Sequence, residues 1–464
     1  MNSLYSHSGS LLLINPWIYD FAAYDLWLKP LGMLYLAGYL RQQGYQIHLI
    51  DCLDRANPAL LKFQGLRTPV VKPCGTGRFL KRKVPRPAVL QQVPYPYCRY
   101  GIPENIFLDM LQATPRPDAV LVTSMMTYWY PGVFRAIELV KQHFQDVPVV
   151  LGGVYAALCT NHARIYSGAD CVLPERSPSR ILRMLEEVTQ KRSSGAPCEE
   201  GVEELFQVQP AYDLYDHLDY AVILTSLGCP YRCTYCASHT LCSRFSQRAP
   251  DAVFQDIVSL YETRQIRDFA FYDDALLVNF QTHLKPILQQ VIAHRLSCRF
   301  HTPNGIHAKY IDSECAQLLF QAGFTTLRLS LETIDPTRQQ ETGGKVTNKE
   351  FERAVKILQQ TGFRGKHLGA YLFVGLPGQN IEEVEATIRS VHALGVQVSL
   401  CEYSPIPGTQ DWAFLEQHGL VQAHDDPVLH NNSVYLSTRG LYPFDVIQRL
   451  KNMVRQGNRR IPVS

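Results

Sequence analysis

The chain of 464 residues has no apolar run approaching the roughly 18 residues needed to span a bilayer. Residues 1–10 are polar and lack the basic start and long apolar core of a secretion signal. We therefore expect a soluble, cytoplasmic protein with no membrane partner. A charge excess is missing as well. Lys and Arg number 45 against 42 Asp and Glu, and the pI near 8.2 leaves no nucleic-acid footprint, so no nucleic-acid partner is expected. A disulfide framework is disfavoured too: the thirteen cysteines are an odd count, and their tightest cluster has metal-ligand spacing, which suits a reducing compartment. With 46% hydrophobic and 19% charged residues the composition is ordinary for a globular protein, and the length allows two or three domains.

What is present is concentrated in Leu227-Gly228-Cys229-Pro230-Tyr231-Arg232-Cys233-Thr234-Tyr235-Cys236-Ala237-Ser238. Three residues separate the first pair of cysteines and two the second, directly after an apolar run over 221–227 that reads as a buried strand. Gly228 and Pro230 shape the turn so that the thiolates converge. Such a loop can wrap one corner of an iron-sulfur cube. Protein ligation of a cube normally takes four cysteines, so three leave one iron open. A zinc ion with Cys242 or His239 as fourth ligand is the alternative, and the spacing alone leaves both readings open.

The pattern that follows the loop is an alternation. Strands are predicted at 221–227, 268–272, 299–302, 326–331, 368–374 and 396–403, separated by amphipathic helices at 251–264, 280–294, 313–322, 348–360 and 381–393. Alternation of this kind predicts a parallel sheet rolled into a partial (β/α)6, TIM-like barrel. This context favours the cluster over zinc.

On these residues the sequence resembles the radical S-adenosylmethionine (SAM) superfamily. The resemblance implies that Cys229, Cys233 and Cys236 hold a [4Fe-4S] cluster whose open iron chelates S-adenosyl-L-methionine. One electron, from a donor such as flavodoxin or ferredoxin, then splits SAM into methionine and a 5'-deoxyadenosyl radical. It also implies SAM contacts at the strand ends. Tyr235 lies near the adenine; Asp273 or Asp274 stands at the amino group, although the common Gly-Gly-Glu form is missing; and Asn304 follows strand three. Alternation sends Arg328, Ser330 and Glu332 to one face, and by resemblance Ser330 and Glu332 face SAM. Gly375 and Pro377, in the turn Val374-Gly375-Leu376-Pro377-Gly378-Gln379, lie along the adenine. A packing role for Tyr235 and an ion pair for Glu332 are the plain alternatives.

Residues 1–176 read as an α/β, doubly wound (Rossmann- or flavodoxin-like) domain, with strands at 11–14, 46–50, 119–123, 147–151 and 171–173 and helices at 32–42 and 134–144. Ligands bind such sheets at the carboxyl ends of the strands. In front of a radical SAM barrel this domain is similar to the cobalamin-binding domain of cobalamin-dependent radical SAM proteins. The likeness runs through Lys29-Pro30-Leu31-Gly32-Met33-Leu34-Tyr35-Leu36-Ala37, Gly44-Tyr45 and Asp51, and it implies cobalamin contacts at Ser124, Gly152, Gly153 and Tyr155. The Asp-x-His-x-x-Gly loop that supplies an axial histidine is absent, since the chain reads Asn15-Pro16-Trp17-Ile18-Tyr19-Asp20 after strand one. Any cobalamin is therefore expected without a histidine lower ligand. The glycines alone are also consistent with simple turns.

An insertion is expected over about 52–118. Its Gly75-Thr76-Gly77 lies beside Lys72, Arg78 and Lys81 to Lys83, and it reads as a solvated basic loop, since no strand leads in and no P-loop lysine follows. Met125, Met126, Tyr128, Trp129 and Tyr130 are placed to line an apolar cavity, but they read as core except for those nearest Ser124. Residues 177–220 read as a linker with a helix at 179–190 and a flexible break at 191–197. The barrel is placed at 221–410 and a carboxyl-terminal extension at 411–464, with a last helix at 444–456. No cysteine follows Cys401, and Cys52, Cys74 and Cys98 do not match the extra triad of tRNA methylthiotransferases. The combined expectation is a radical SAM enzyme using cobalamin, most simply a methyltransferase acting on an unactivated centre of a small-molecule substrate. Radical rearrangement, cyclisation or oxidation, or a cobalamin or cluster sensor without turnover, are the alternatives.

Overall fold

Runs such as Leu11-Leu12-Leu13-Ile14, with every side chain shielded from water, form strands in sheets covered on both faces. The structure is a computed structural model that describes residues 9–193 and 202–462. The 194–197 part of the expected flexible break, and residues 1–8 of the polar amino terminus, lie outside the described residues. The chain forms two units: one up to Leu218 together with His424–Leu429, the other Asp219–Ala423 with the chain from His430 onward.

The first unit contains β1 (Gly9–Asn15), β2 (Ile18–Asp20), β3 (Tyr45–Asp51), β4 (Lys81–Lys83), β5 (Cys98–Tyr100), β6 (Ala119–Val122), β7 (Val149–Leu151) and β8 (Cys171–Val172). Five of them make a parallel sheet in the order β3-β1-β6-β7-β8. Because β3 lies on one side of β1 and β6 on the other, the direction of winding reverses there, and the crevice beyond the carboxyl ends of β1 and β6 is where such a sheet receives a ligand. At that end Asn15 donates to Asp51 at 2.7 Å, and the buried Tyr215 hydroxyl donates to the other Asp51 oxygen at 2.6 Å.

Tyr215 belongs to the expected linker, and the rest of that stretch also packs on this unit. Helix Pro178–Thr189 buries Leu182 and Leu185, and the Ala211 N–H bonds the Leu34 carbonyl at 3.0 Å. The linker reading is corrected to Leu218 as the end of the first unit. Its physical reason is the apolar stripe of that helix, which needs a sheet to cover.

Two strands of the insertion, β4 and β5, join β2, which follows β1, in a small antiparallel sheet over a core of Ile18, Leu53, Phe79, Cys98 and Tyr100. Gly75-Thr76-Gly77 closes around the Arg55 guanidinium, which donates to the Gly75 carbonyl at 2.6 Å and to Asp25 at 2.7 Å. The glycines thus seat an internal arginine, while Arg78 and Lys81–Lys83 stay exposed. Helix Glu104–Ala113 buries Ile106, Phe107 and Leu111 and leads back into β6, so the end of the insertion is an ordinary crossover helix.

The second unit contains β9 (Ala221–Ile223), β10 (Ser226–Leu227), β11 (Ser246–Gln247), β12 (Asp268–Phe271), β13 (Arg299–His301), β14 (Ile306–His307), β15 (Phe324–Glu332), β16 (Leu368–Val374) and β17 (Gln397–Glu402). Its main sheet runs β17-β16-β15-β13-β12-β9, every pair parallel and every neighbour next in the alternation. Helices Pro250–Thr263, Leu284–Ala293, Ser313–Gln321, Asn348–Thr361 and Ile381–Ala393 make the crossovers. Their starts are written in the sequence: Asp312, Thr347 and Asn380 each cap a helix amino terminus, Thr347 with Glu350 as a full capping box. Phe269, Phe271, Phe300 and Phe324 pack with ring centroids 5.3 to 5.9 Å apart.

The strand expected over 221–227 is broken. After Ile223 the chain turns, and β10 leaves the barrel sheet to pair antiparallel with β11. At the far edge, Asn458 of the final helix Phe444–Arg460 bonds both the N–H and the carbonyl of Val398, at 2.8 and 2.9 Å, covering part of β17 as a neighbouring strand would. Among the described residues no helix is long and apolar enough to cross a membrane.

Candidate metal centre

Asp273 makes the break that launches the cysteine loop. Its carboxylate accepts from the Thr225 N–H at 3.1 Å, the Thr225 hydroxyl at 2.7 Å and the Ser226 hydroxyl at 2.5 Å. These bonds turn the chain out of β9 and into β10. Burial raises the Asp273 carboxyl to about 6 against its hydrogen bonds. Asp273 therefore builds the launch point of the loop, and its neighbour Asp274 is the exposed one.

Gly228 follows with φ +72, and a side chain there would meet the Arg244 carbonyl at 2.5 Å. Cys229, Cys233 and Cys236 are half-buried free thiols. The Cys236 N–H bonds the Cys233 carbonyl at 3.1 Å, tightening the second half of the loop, and the Ser238 N–H lies on the Cys236 sulfur at 3.4 Å. N–H groups aimed at ligating sulfurs are one of the protein's levers on an iron-sulfur cluster. Ser238 also donates to Asp274 at 2.9 Å. Burial lifts the Cys229 thiol to about 11, with Asp274 and the two companion sulfurs adding to it. A metal that binds Cys229 must displace its proton.

The fourth ligand that zinc requires is not supplied by the two candidates. His239 Nε2 sits 2.6 Å from the Tyr231 carbonyl, and Cys242 Sγ lies 3.1 Å from the Arg244 carbonyl. Three thiols on one short loop, close enough to act on one another, with His239 Nε2 and Cys242 each bonded to a backbone carbonyl, fit a cluster held at three irons.

Above the loop, the end of β15 supplies Glu332. The register between Ser330 and Glu332 shifts by one, so Leu331 is an extra residue, and Glu332 takes φ +73, a strained setting for a residue with a side chain. The expected even alternation of Arg328, Ser330 and Glu332 is corrected by this bulge. Glu332 accepts from the Tyr235 hydroxyl and pairs with the Lys345 ammonium. Lys345 also donates to the Tyr235 oxygen at 2.8 Å, and Tyr235 packs on Phe373 at 4.8 Å. Burial raises the Cys233 thiol, Lys345 opposes that, and Glu332 adds to it. Burial, then Glu332 and Cys233, hold the Tyr235 phenol far above its usual range. Burial works against the Lys345 ammonium, yet Glu332 and the thiols keep it charged.

Lys345 was not anticipated from the sequence. The signal was Gly343-Gly344 before it: with φ +119, Gly343 lies so close to the loop that a side chain there would come within 3.1 Å of the Cys233 Cα.

The other strand-end candidates sit around the same mouth. Asn304 bonds the Tyr272 and Asp273 carbonyls at 2.9 and 3.3 Å, tying two strand ends together. Ser330 is buried against Gly305. Gly375 has φ +87, and its N–H donates to Gln379 at 2.8 Å, while Arg338 holds the Pro377 carbonyl at 2.7 Å, so that turn is rigidly pinned. In the first unit, the Ser124 hydroxyl donates to the Gly152 carbonyl at 2.8 Å and accepts from the Tyr155 N–H at 3.1 Å. Gly153, with φ +91, lies against the Ser124 backbone. Gly152 is different: only the Leu173 carbonyl, at 3.9 Å, stands near where a Cβ would be. Tyr155 is fully buried, with its hydroxyl on His162 Nδ1 at 2.6 Å and its ring stacked 5.6 Å from Tyr130. Tyr130 in turn donates to Asp426 at 2.8 Å.

Residues 223–391, which take in the cysteine loop, Glu332 and Lys345, match the profile of the Radical SAM superfamily. This stretch is a radical SAM domain. Around it, the chain is 24% identical over 221 residues to an uncharacterized methyltransferase of Pyrococcus horikoshii, covering 46% of this chain and 47% of that protein. It is also 24% identical over 303 residues to the hopanoid C-2 methylase of Rhodopseudomonas palustris, covering 62% of this chain and 55% of that one. The chain thus spans about half the length of these curated relatives. Among solved structures, the radical SAM methyltransferase TsrM of Kitasatospora setae, determined with cobalamin and a [4Fe-4S] cluster bound, superposes with a TM-score of 0.61 at 18% identity, over 88% of this chain and 78% of that one. At that identity the likeness is one of fold, a doubly wound domain joined to a radical SAM barrel.

Proposed function

We propose that this chain is a cytoplasmic cobalamin-dependent radical SAM enzyme that transfers a methyl group to an unactivated centre of a small-molecule substrate. The observation that carries the reading is the three-thiol loop at the mouth of a six-stranded partial barrel, with neither His239 nor Cys242 positioned as a fourth ligand. When bound, the cluster supplies the electron that splits SAM into methionine and a 5'-deoxyadenosyl radical, and cobalamin carries the methyl group.

The chain's own residues do the positioning. Cys229, Cys233 and Cys236 hold three irons. In this reading Asp274, exposed beside the loop and accepting from Ser238, takes the amino group of SAM, and Asp273 shapes the loop that presents it. Ser330, Glu332 and Asn304 line the same strand ends. The turn through Gly375 and Pro377 offers a rigid backbone edge for the adenine. In the first unit Ser124 and Gly153 set the strand-end turn, Tyr155 buttresses it, and Gly152 leaves an open backbone patch beyond the switch point, where the nucleotide tail of cobalamin fits. A one-electron donor of the flavodoxin or ferredoxin kind completes the system.

Anaerobically reconstituted protein, incubated with SAM and dithionite, is expected to release 5'-deoxyadenosine and to retain cobalamin absorbance on purification. A preparation that binds zinc and no iron overturns the reading. Intact cobalamin and cluster with no 5'-deoxyadenosine would point instead to a sensor. 5'-Deoxyadenosine formation without bound cobalamin would point to radical cyclisation, rearrangement or oxidation.

A further inference from the structure

Lys345 belongs to no part of the sequence pattern that marks the cysteine loop, yet it ends beside that loop. Gly343 and Gly344, both at positive φ, bring the chain over Cys233. From there the Lys345 ammonium reaches the Tyr235 oxygen at 2.8 Å and the Glu332 carboxylate. The side chains of Lys345 and Glu332 are 13% and 8% exposed, so little water screens either charge. Tyr235, one residue before Cys236 and two after Cys233, ties both charges to the loop, and it is the segment carrying Lys345 that Gly343 presses against the Cys233 backbone.

A cluster on three thiolates is net anionic, and its one-electron reduction adds a further negative charge. A cation fixed in a dry site beside the cysteine loop favours the reduced form, because net charge around the cluster helps set its potential. We infer that Lys345 is a positioning residue that makes the cluster reducible, its ammonium offsetting the electron the cluster receives from its one-electron donor and Glu332 acting as the counter-charge that keeps that ammonium in place. The inference rests on the proposal that Cys229, Cys233 and Cys236 hold a cluster.

The experiment is a redox titration of the reconstituted protein, followed by electron paramagnetic resonance, with iron and sulfide counted in every preparation. Lys345→Met is expected to keep its iron and to favour the oxidised cluster by tenfold or more, a fall of about 59 mV or more for a one-electron couple. Lys345→Arg, which keeps the charge, is expected near the wild-type potential. Glu332→Gln, which leaves the ammonium without its counter-charge, is expected to shift the potential upward. Unchanged potentials in both Lys345→Met and Glu332→Gln overturn the inference while leaving the cluster assignment intact. Should Lys345→Met fail to take up iron, Glu332→Gln decides: a rise supports the inference and no change overturns it. Wild-type protein that never forms a cluster overturns both the inference and the function on which it rests.

Discussion

Replacing Gly228 by alanine tests whether the cysteine loop is built as described. Two costs arise at that position. The residue sits at φ +72, where a Cβ crowds the following carbonyl, a penalty of about 1–2 kcal/mol. The new methyl also lands 2.5 Å from the Arg244 carbonyl, well inside ordinary carbon–oxygen contact, and pushing that backbone aside adds on the order of 1–3 kcal/mol. Loss of glycine's freedom in the unfolded chain returns about 0.4–1 kcal/mol. The net expectation is a destabilisation of roughly 1–5 kcal/mol, relieved by displacement of the turn that presents Cys229. Gly419→Ala separates the two effects, since Gly419 has φ +69 and nothing within 4 Å of its would-be Cβ, and so carries the strain without the clash. Urea unfolding of the unreconstituted proteins gives the stabilities, and colorimetric iron analysis after reconstitution reads the loop. Gly228→Ala should lose more stability than Gly419→Ala and most of its iron, while Gly419→Ala keeps its iron. Equal stabilities with full iron in both variants would refute the geometry assigned to the loop.

Single alanine substitutions of Cys229, Cys233 or Cys236 should each abolish full iron loading, whereas Cys242→Ala should leave it unchanged; loss of iron in the last would return Cys242 to the ligand set. Asp273 has a folded pKa of about 6, above the unfolded value near 3.9, so its contribution to stability is fully present at acid pH and is lost as pH rises toward and through 6, by about 3 kcal/mol in all. The difference in unfolding free energy between wild type and Asp273→Asn should therefore change between pH 4 and 7, and a constant difference would show that the buried carboxyl is not perturbed. Ser124→Ala strands the Tyr155 N–H and should cost about 1–3 kcal/mol in urea unfolding. Gly152→Leu projects into open space, so it should leave the fold's stability within about 0.5 kcal/mol. Cobalamin retention, read by absorbance after gel filtration, should nevertheless fall sharply; unchanged retention would move the corrin away from that turn.

The fold was legible because its elements announce themselves locally. The unbroken apolar runs of β1 and β6, the capping residues Asp312, Thr347 and Asn380, and the alternation from Asp268 to Glu402 depend on neighbours a few residues away. What escaped depends on distant partners. Residues 177–220 read as a linker because the anchors of the described part are remote: Ala211 bonds to Leu34, and Tyr215 reaches Asp51 across 164 positions. The break after Ile223 was hidden for the same reason, since Leu224 and Leu227 make the stretch read as one run and only Asp273, 48 residues beyond Thr225, turns the chain aside.

The same division runs through the site. Cys229, Cys233 and Cys236 were legible because metal ligation by a short loop imposes its spacing on the sequence itself. Glu332 was placed at the correct strand end but by the wrong periodicity, because a bulge at Leu331, invisible to period-two counting, re-aims it. Lys345 had only the preceding Gly343-Gly344 pair to signal it, and that pair gains its meaning once Gly343 is seen pressed against Cys233. The thiols mark the site in the sequence, but the charges around them come from β15 and the turn after it, about a hundred residues away. A loop of the same spacing on another scaffold would therefore carry the same ligands with a different electrostatic setting, and reducibility is expected to follow the scaffold more closely than the motif.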